Sequence, residues 1–258
     1  MSHIIPKWAY QPLKNEGAVI SSRFNGLATG VSQDGDKHYL LCEKCEQHLG
    51  SAEKYLREIC FLTPSSALSK NLILDSADRH AHRLIDIDES MMWRALLGIA
   101  LKVHFSPSFA GNIKPLNLLS SIRAALLKDD YSTFSGPSFG FKWMMAEGIS
   151  PRGHIMASFD RGRDNRCLFR TKLGGIEWQI FLNDTSCISS EDDWAKAIPL
   201  WAIFTGDIRN SALLFPDFWE EYNGDPSCCS ASDEDRCPCD SGAVFAACCK
   251  GFWCGGNQ

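Results

Sequence analysis

No stretch of this 258-residue chain approaches the run of about eighteen apolar residues that crosses a bilayer, so no membrane-spanning helix is expected. The longest candidate, Ala95 to Phe105, contains Lys102 and His104 and reads instead as a buried helix. The amino end, Met1-Ser-His-Ile-Ile-Pro-Lys-Trp, lacks a basic segment followed by an apolar one, so no secretory leader is expected either. Positive charge is also short, with 26 Lys and Arg against 31 Asp and Glu and a formal net charge of −5. That balance argues against nonspecific wrapping of nucleic acid, although a local basic patch could still act. Internal repeats and a glycine-rich phosphate loop are both missing. These absences point to a cytoplasmic protein with no membrane partner, in a compartment where disulfides are rare.

Cysteine, by contrast, is plentiful. Of twelve, seven (Cys228, Cys229, Cys237, Cys239, Cys248, Cys249 and Cys254) crowd the carboxyl end. In a reducing compartment such crowding favours metal thiolates over a disulfide framework. The segment "CPCDSGAVFAACCKG", Cys237 to Gly251, offers four thiolates, and a closed structural zinc site takes four N or S ligands in a tetrahedron. Asp240-Ser241-Gly242 supplies a reversal, and Phe245 is the segment's one large apolar group. So small a unit would need the metal to fold.

This segment resembles the SEC-C motif, a zinc-binding tail with the pattern Cys-Pro-Cys-Gly-Ser-Gly, a basic-aromatic run, then Cys-Cys or Cys-His and Gly. Position by position, Cys237, Cys239, Cys248 and Cys249 match its ligands, while Ser241, Gly242, Phe245 and Gly251 match its turn, aromatic and final Gly. Asp240 replaces a Gly, and Ala243, Ala246 and Ala247 stand where Lys is usual. The resemblance implies a structural Zn²⁺ and a surface that docks a protein partner. Cys228, Cys229 and Cys254 remain as spare thiols.

At the other end, "HYLLCEKCEQHLGSAEKYL" places Cys42-x-x-Cys45 after an apolar strand, Tyr39 to Leu41. A helix starting at the second Cys and carrying Glu46, His48, Glu53 and Tyr55 is expected to follow. Strand, CxxC knuckle and helix in that order describe half of a treble clef. Together with "SHIIPKW", these residues resemble the HNH endonuclease superfamily over about the first 60 positions. In that superfamily a second CxxC, upstream of the His-Ile-Ile-Pro strand, completes a structural zinc site. The resemblance implies His3 as general base toward a phosphodiester and Glu46 as a ligand of a catalytic Mg²⁺ or Mn²⁺. Ser2 stands where the family usually has Asp. The missing CxxC leaves two alternatives. Either the chain's true start lies upstream, or Cys42 and Cys45 draw ligands from elsewhere, His38 or His48 included.

The middle is less informative. Asn71 to Phe105 reads helical, with Ser90 as a cap and Trp93, Leu96, Leu97, Ala100, Leu101 and His104 on one face. A second helix is expected over Leu116 to Leu127, ending at Lys128-Asp129-Asp130. The period then becomes two: Phe139, Phe141, Trp143; Ile155, Ala157, Phe159; Ile176, Trp178, Ile180, Leu182. An antiparallel meander follows, with "IPLWAIFTG" as a further buried strand and "FPDFWEEY" as a closing helix. In "DSADRHAHRLIDIDE", Asp78 and His82 would stack at i, i+4 on a solvated helix face. Arg161, Arg163, Arg166, Arg170 and Lys172, interleaved with Asp160 and Asp164, read as a wet hairpin loop or, functionally, as phosphate contacts for nucleic acid.

The expected fold class is therefore α+β. It comprises a treble-clef-like fragment at 1–60, a helical and antiparallel middle domain at 61–224, a flexible linker at 225–236 and a zinc knuckle at 237–251. Two functions from different classes fit. One is a metal-dependent, HNH-type nucleic-acid-processing protein; the other is a noncatalytic, zinc-stapled adaptor.

Overall fold

The computed structural model describes residues 2–14, 19–22, 28–32, 35–61, 72–74, 81–84, 86–109, 113–114, 116–134, 138–144, 152, 155–161, 167–182, 201–207, 232–237 and 243–247. For 19–22, 28–32, 72–74, 81–83, 139, 141–144, 161, 202 and 204–207 only the backbone is described. The chain begins with strand β1 (Ser2–His3), a 3₁₀ turn (Lys7–Tyr10) and the single turn α1 (Gln11–Lys14). A hairpin of β2 (Val19–Ser22) and β3 (Ala28–Ser32) precedes β4 (Lys37–His38) and the long helix α2 (Glu43–Cys60). Then come β5 (Leu72–Leu74), β6 (Ala81–Leu84), α3 (Glu89–Phe105) and α4 (Leu116–Lys128). The remaining strands are β7 (Ser138–Met144), β8 (Met156–Arg161), β9 (Cys167–Leu173), β10 (Ile176–Phe181) and β11 (Ala202–Asp207).

The fold is α+β, as its periodicities predict. A seven-stranded sheet runs β5-β6-β11-β7-β10-β9-β8. Gly174 (φ 59°) and Gly175 (φ 88°) both take left-handed backbone, which the tight two-residue β9–β10 hairpin requires. A methyl group on Gly174 would also press on the Cβ of Cys60 at 3.1 Å. The meander is confined to β8, β9 and β10. Strand β7 skips β8, pairs antiparallel with β10 and runs parallel to β11.

One face of this sheet carries Phe159, Phe169, Leu173, Ile176, Trp178 and Ile180 and joins the same apolar cluster as the helices. The indole N–H of Trp178 donates to Cys60 Sγ at 3.4 Å, and Trp201 stacks edge-on against Trp93 at 5.1 Å. Ile4, Ile5, Ala9 and Tyr10 belong to that cluster too, so the front segment and the middle share a core.

Helix α3 is more deeply enclosed than an amphipathic pattern predicts. From Met92 to Val103 only Arg94 escapes full burial. Its cap is Asp88, whose carboxylate accepts from the Met91 N–H at 3.0 Å. Ser90 therefore lies inside the first turn. Helices α2 and α3 approach so closely that a Cβ on Gly98 would meet Leu49 Cδ2 at 2.8 Å. Helix α4 ends as expected: Asp129 takes φ 54° and the Asp130 N–H reaches back to the Ala125 carbonyl at 3.3 Å, closing a Schellman-type turn. The Asp129 carboxylate then gathers Arg94 (2.9 Å), His48 (3.2 Å) and the Tyr131 hydroxyl (3.0 Å), tying α2, α3 and α4 together.

The helix expected over 71–105 is correct only from Glu89 onward. Leu72–Leu74 and Ala81–Leu84 are antiparallel strands at the sheet edge, so His82 is on a strand; Asp78 lies outside the described residues. Short apolar runs such as "LIL" satisfy either period, and pairing with β11 decides for strand. Residues 208–231, including "FPDFWEEY", lie outside the described residues. No helix among the described residues is long and apolar enough to cross a membrane.

Candidate functional site

At the front, β1 and β4 pair antiparallel, with Ser2 opposite His38 and His3 opposite Lys37. The Ile4 N–H donates to the Asp36 carbonyl at 3.1 Å, extending the ladder by one bond. Four residues after β4 the chain enters α2. Tyr39 to Leu41 are not a strand; Tyr39 is 82% exposed, while Leu40 and Leu41 pack partly against the core. The result is a two-strand, one-helix unit whose second strand leads into the helix.

Cys42 is the N-cap of α2, one residue before the helix begins, and Cys45 lies in the first turn. Their sulfurs are 3.4 Å apart. A tetrahedral zinc with bonds near 2.3 Å holds its thiolates about 3.8 Å apart, so a small movement would let both bind one ion. Cys42 is fully exposed to solvent, and its thiol is lowered first by the Cys45 backbone N–H and then by contact with the Cys45 sulfur. The same contact raises Cys45. The pair thus favours one thiolate at the positive end of a helix. No group of three or more His, Cys, Asp or Glu suited to a metal occurs among the described residues.

His38 and His48 are engaged away from the pair. His38 Nε2 is 3.1 Å from Ser108 Oγ, and His48 Nε2 lies 3.2 Å from both the Leu126 carbonyl and Asp129. Neither completes the cysteine pair as a borrowed ligand.

Two oxygens in this unit are buried without a hydrogen-bond partner: Ser2 Oγ and Glu46 Oε1. Ser2 is wholly enclosed and His3 is partly buried. Unpaired buried oxygens are uncommon and call for a missing donor or cation. A carboxylate oxygen and a hydroxyl are chemically suited to a hard divalent ion, the hydroxyl weakly.

At the carboxyl end, Arg236 and Val244 form an antiparallel bridge. The Cys237 N–H donates to the Ala243 carbonyl at 2.8 Å, and the Phe245 N–H to the Asp235 carbonyl at 2.7 Å. Cys237 and Phe245 are both buried. Residues 232–236, expected as linker, belong to this small reversal: the Ser232 N–H donates to the Asp235 carboxylate at 2.7 Å. Cys239, Cys248 and Cys249 lie outside the described residues, as do Arg163 and Arg166.

Arg161 ends β8, where only its backbone is described. Arg170 and Lys172 are not in a wet loop: both are on β9, Arg170 paired to Asp160 at 2.9 Å and Lys172 fully buried. The sequence reading missed this polar site inside the sheet; the alternation of "LFRTKL" was its one signal.

No family model matches this chain, and no characterised protein or solved structure matches it.

Proposed function

We propose that the chain is a zinc-binding protein associated with nucleic acid, with an HNH-like front end. The observation that supports this reading is the strand-pair-to-helix unit, in which a CxxC pair at 3.4 Å opens α2 and Glu46, the next residue, keeps a buried oxygen unpaired. In this reading Cys42 and Cys45 contribute two thiolates to a structural zinc within a treble-clef-like fragment. His3 accepts a proton from the water that attacks a phosphodiester. Glu46 and, weakly, Ser2 would hold Mg²⁺ or Mn²⁺, which would supply charge stabilisation at the phosphate. At the tail, Cys237, Cys239, Cys248 and Cys249 would hold a second structural zinc, the buried Cys237 lying on its small hairpin.

The test is nicking of supercoiled DNA and of RNA with Mn²⁺ present, using His3→Ala and Glu46→Gln. Loss of cleavage in both variants, with unchanged zinc content, supports the reading; cleavage that persists in His3→Ala removes His3 as base. Metal content should fall by about one ion per chain in Cys248→Ala/Cys249→Ala.

A second reading rests on Ser2. Its hydroxyl is a poor ligand for a hard cation where the HNH pattern has a carboxylate, which favours a noncatalytic, zinc-stapled adaptor whose knuckle docks a protein. Wild-type protein that holds zinc but never cleaves would support it.

A further inference from the structure

Over β8, β9 and β10 the second face of the sheet carries a largely enclosed polar cluster among apolar residues. Registers place Lys172 opposite Glu177 on β10 and Met156 on β8, and Arg170 opposite Gln179 and Ser158. Side chains directly opposite on antiparallel strands share a face. Lys172, Arg170, Glu177, Gln179, Ser158 and Asp160 therefore lie together, away from the Trp178 core. Lys172 and Glu177 are fully buried and Gln179 nearly so.

Much of this face is already matched. Arg170 Nε holds Asp160 Oδ2 at 2.9 Å, and the Gln179 amide donates to Glu177 at 2.8 Å. Lys172 Nζ and Ser158 Oγ are both buried with no hydrogen-bond partner, and Arg170 Nε, although 2.9 Å from Asp160, makes no hydrogen bond either. Lys172 and Ser158 lie on neighbouring strands, diagonal to one another, where long side chains meet. Strand β8 is the edge of the sheet, and the Arg170 and Asp160 side chains beside Ser158 are 23% and 41% exposed. The enclosed donors thus lie next to an opening to solvent.

We propose that Lys172, Ser158 and Arg170 form a binding site for a small oxyanion of phosphate size on this face. Glu177 gives Lys172 a counter-charge across the ladder but no hydrogen bond; a buried amine with no acceptor is costly, and an oxyanion supplies the acceptor. Lys172 and Ser158 donate to its oxygens, and Arg170 keeps its terminal nitrogens for the same ligand while Asp160 holds its Nε. Glu177 lies on the β10 side of Lys172, so the anion belongs on the β8 side. Burial lowers the basicity of Lys172 to about 7 against the opposing attraction of Glu177, and a bound anion would raise it. The inference is independent of the zinc and nuclease reading.

Thermal unfolding of the full-length protein at pH 7, titrated with inorganic phosphate against sodium chloride of equal ionic strength, tests it. The wild-type midpoint should rise by about 5 °C or more near a hundredfold excess over Kd. Lys172→Met, nearly isosteric, should fold and lose the phosphate-dependent rise. Ser158→Ala should weaken phosphate binding about tenfold in calorimetry, the loss of one charge-assisted hydrogen bond. An equal rise with chloride, no rise in the wild type, or a rise that survives Lys172→Met would each overturn the proposal. So would a single-stranded oligonucleotide that gives the same Lys172-dependent rise, because the phosphate would then be part of a polymer and not a small enclosed ion.

Discussion

Two lysines are buried among the described residues, and their surroundings differ in one respect. Lys102, in α3, is 1% exposed and reaches Glu53 of α2 at 2.5 Å. Lys172, in β9, is 0% exposed, and its amine meets no acceptor. The first has its counter-charge supplied by a neighbouring helix and serves the architecture, pinning α2 to α3 where Gly98 lets them close. For the second, the nearest counter-charge across the ladder is Glu177, to which Gln179 already donates. The sheet bears the cost of an unmatched ammonium, which is the mark of a site that something else completes.

Breaking the matched pair should have the largest effect. Glu53→Ala strands a buried ammonium and should cost about 3–5 kcal/mol in urea unfolding. A loss below about 1 kcal/mol would mean that Lys102 reaches water. Removing the second amine should cost far less. Lys172→Met, without phosphate, should change stability at pH 7 by less than about 1 kcal/mol, because the desolvation cost that disappears is offset by the lost attraction of the buried Glu177.

The same contrast has a pH signature. The folded pKa of Lys172, about 7, lies below its unfolded value, so the unfolded chain binds the extra proton between the two. Stability contributed by this group therefore rises with pH above 7, by up to about 1.4 kcal/mol per unit. Within the sheet Lys172 faces Glu177 on β10 and Met156 on β8, with Arg170 next to it on its own strand and Asp160 farther along the same face. From about pH 9 the buried Cys60, raised by desolvation to about 12, opposes the rise, since only the unfolded thiol then ionises. Denaturant curves at intervals from pH 7 to 9 should show the wild type gaining on Lys172→Met. Parallel curves would place Lys172 in water. The smallest effect belongs to Ser158→Ala without ligand, within about 0.5 kcal/mol of wild type.

Particular elements show where the chain was readable. Helix α4 and strands β7, β8, β10 and β11 follow from period and length, and the turn after α4 from its Lys-Asp-Asp ending. Strands β5 and β6 were not visible, because "LIL" and "AHRL" carry too few residues to fix a period and their polar neighbours look like a solvated helix. Asp88 was hidden as a cap by Ser90 two residues on. The CxxC pair and Glu46 were legible as chemistry, but the engagement of His38 with Ser108 and of His48 with Asp129 required contacts across 70 and more residues.

Alternation along "CLFRTKLGGIEWQIFL" was enough by itself to put Trp178 and Lys172 on opposite faces, because a strand has no other way to arrange its side chains, and the Gly-Gly pair was enough to turn it. Whether the polar face would meet water was not in those residues. Burial of Lys172 depends on what the rest of the chain stacks over the sheet. Only the tertiary structure decided that one lysine would find a carboxylate and the other would not.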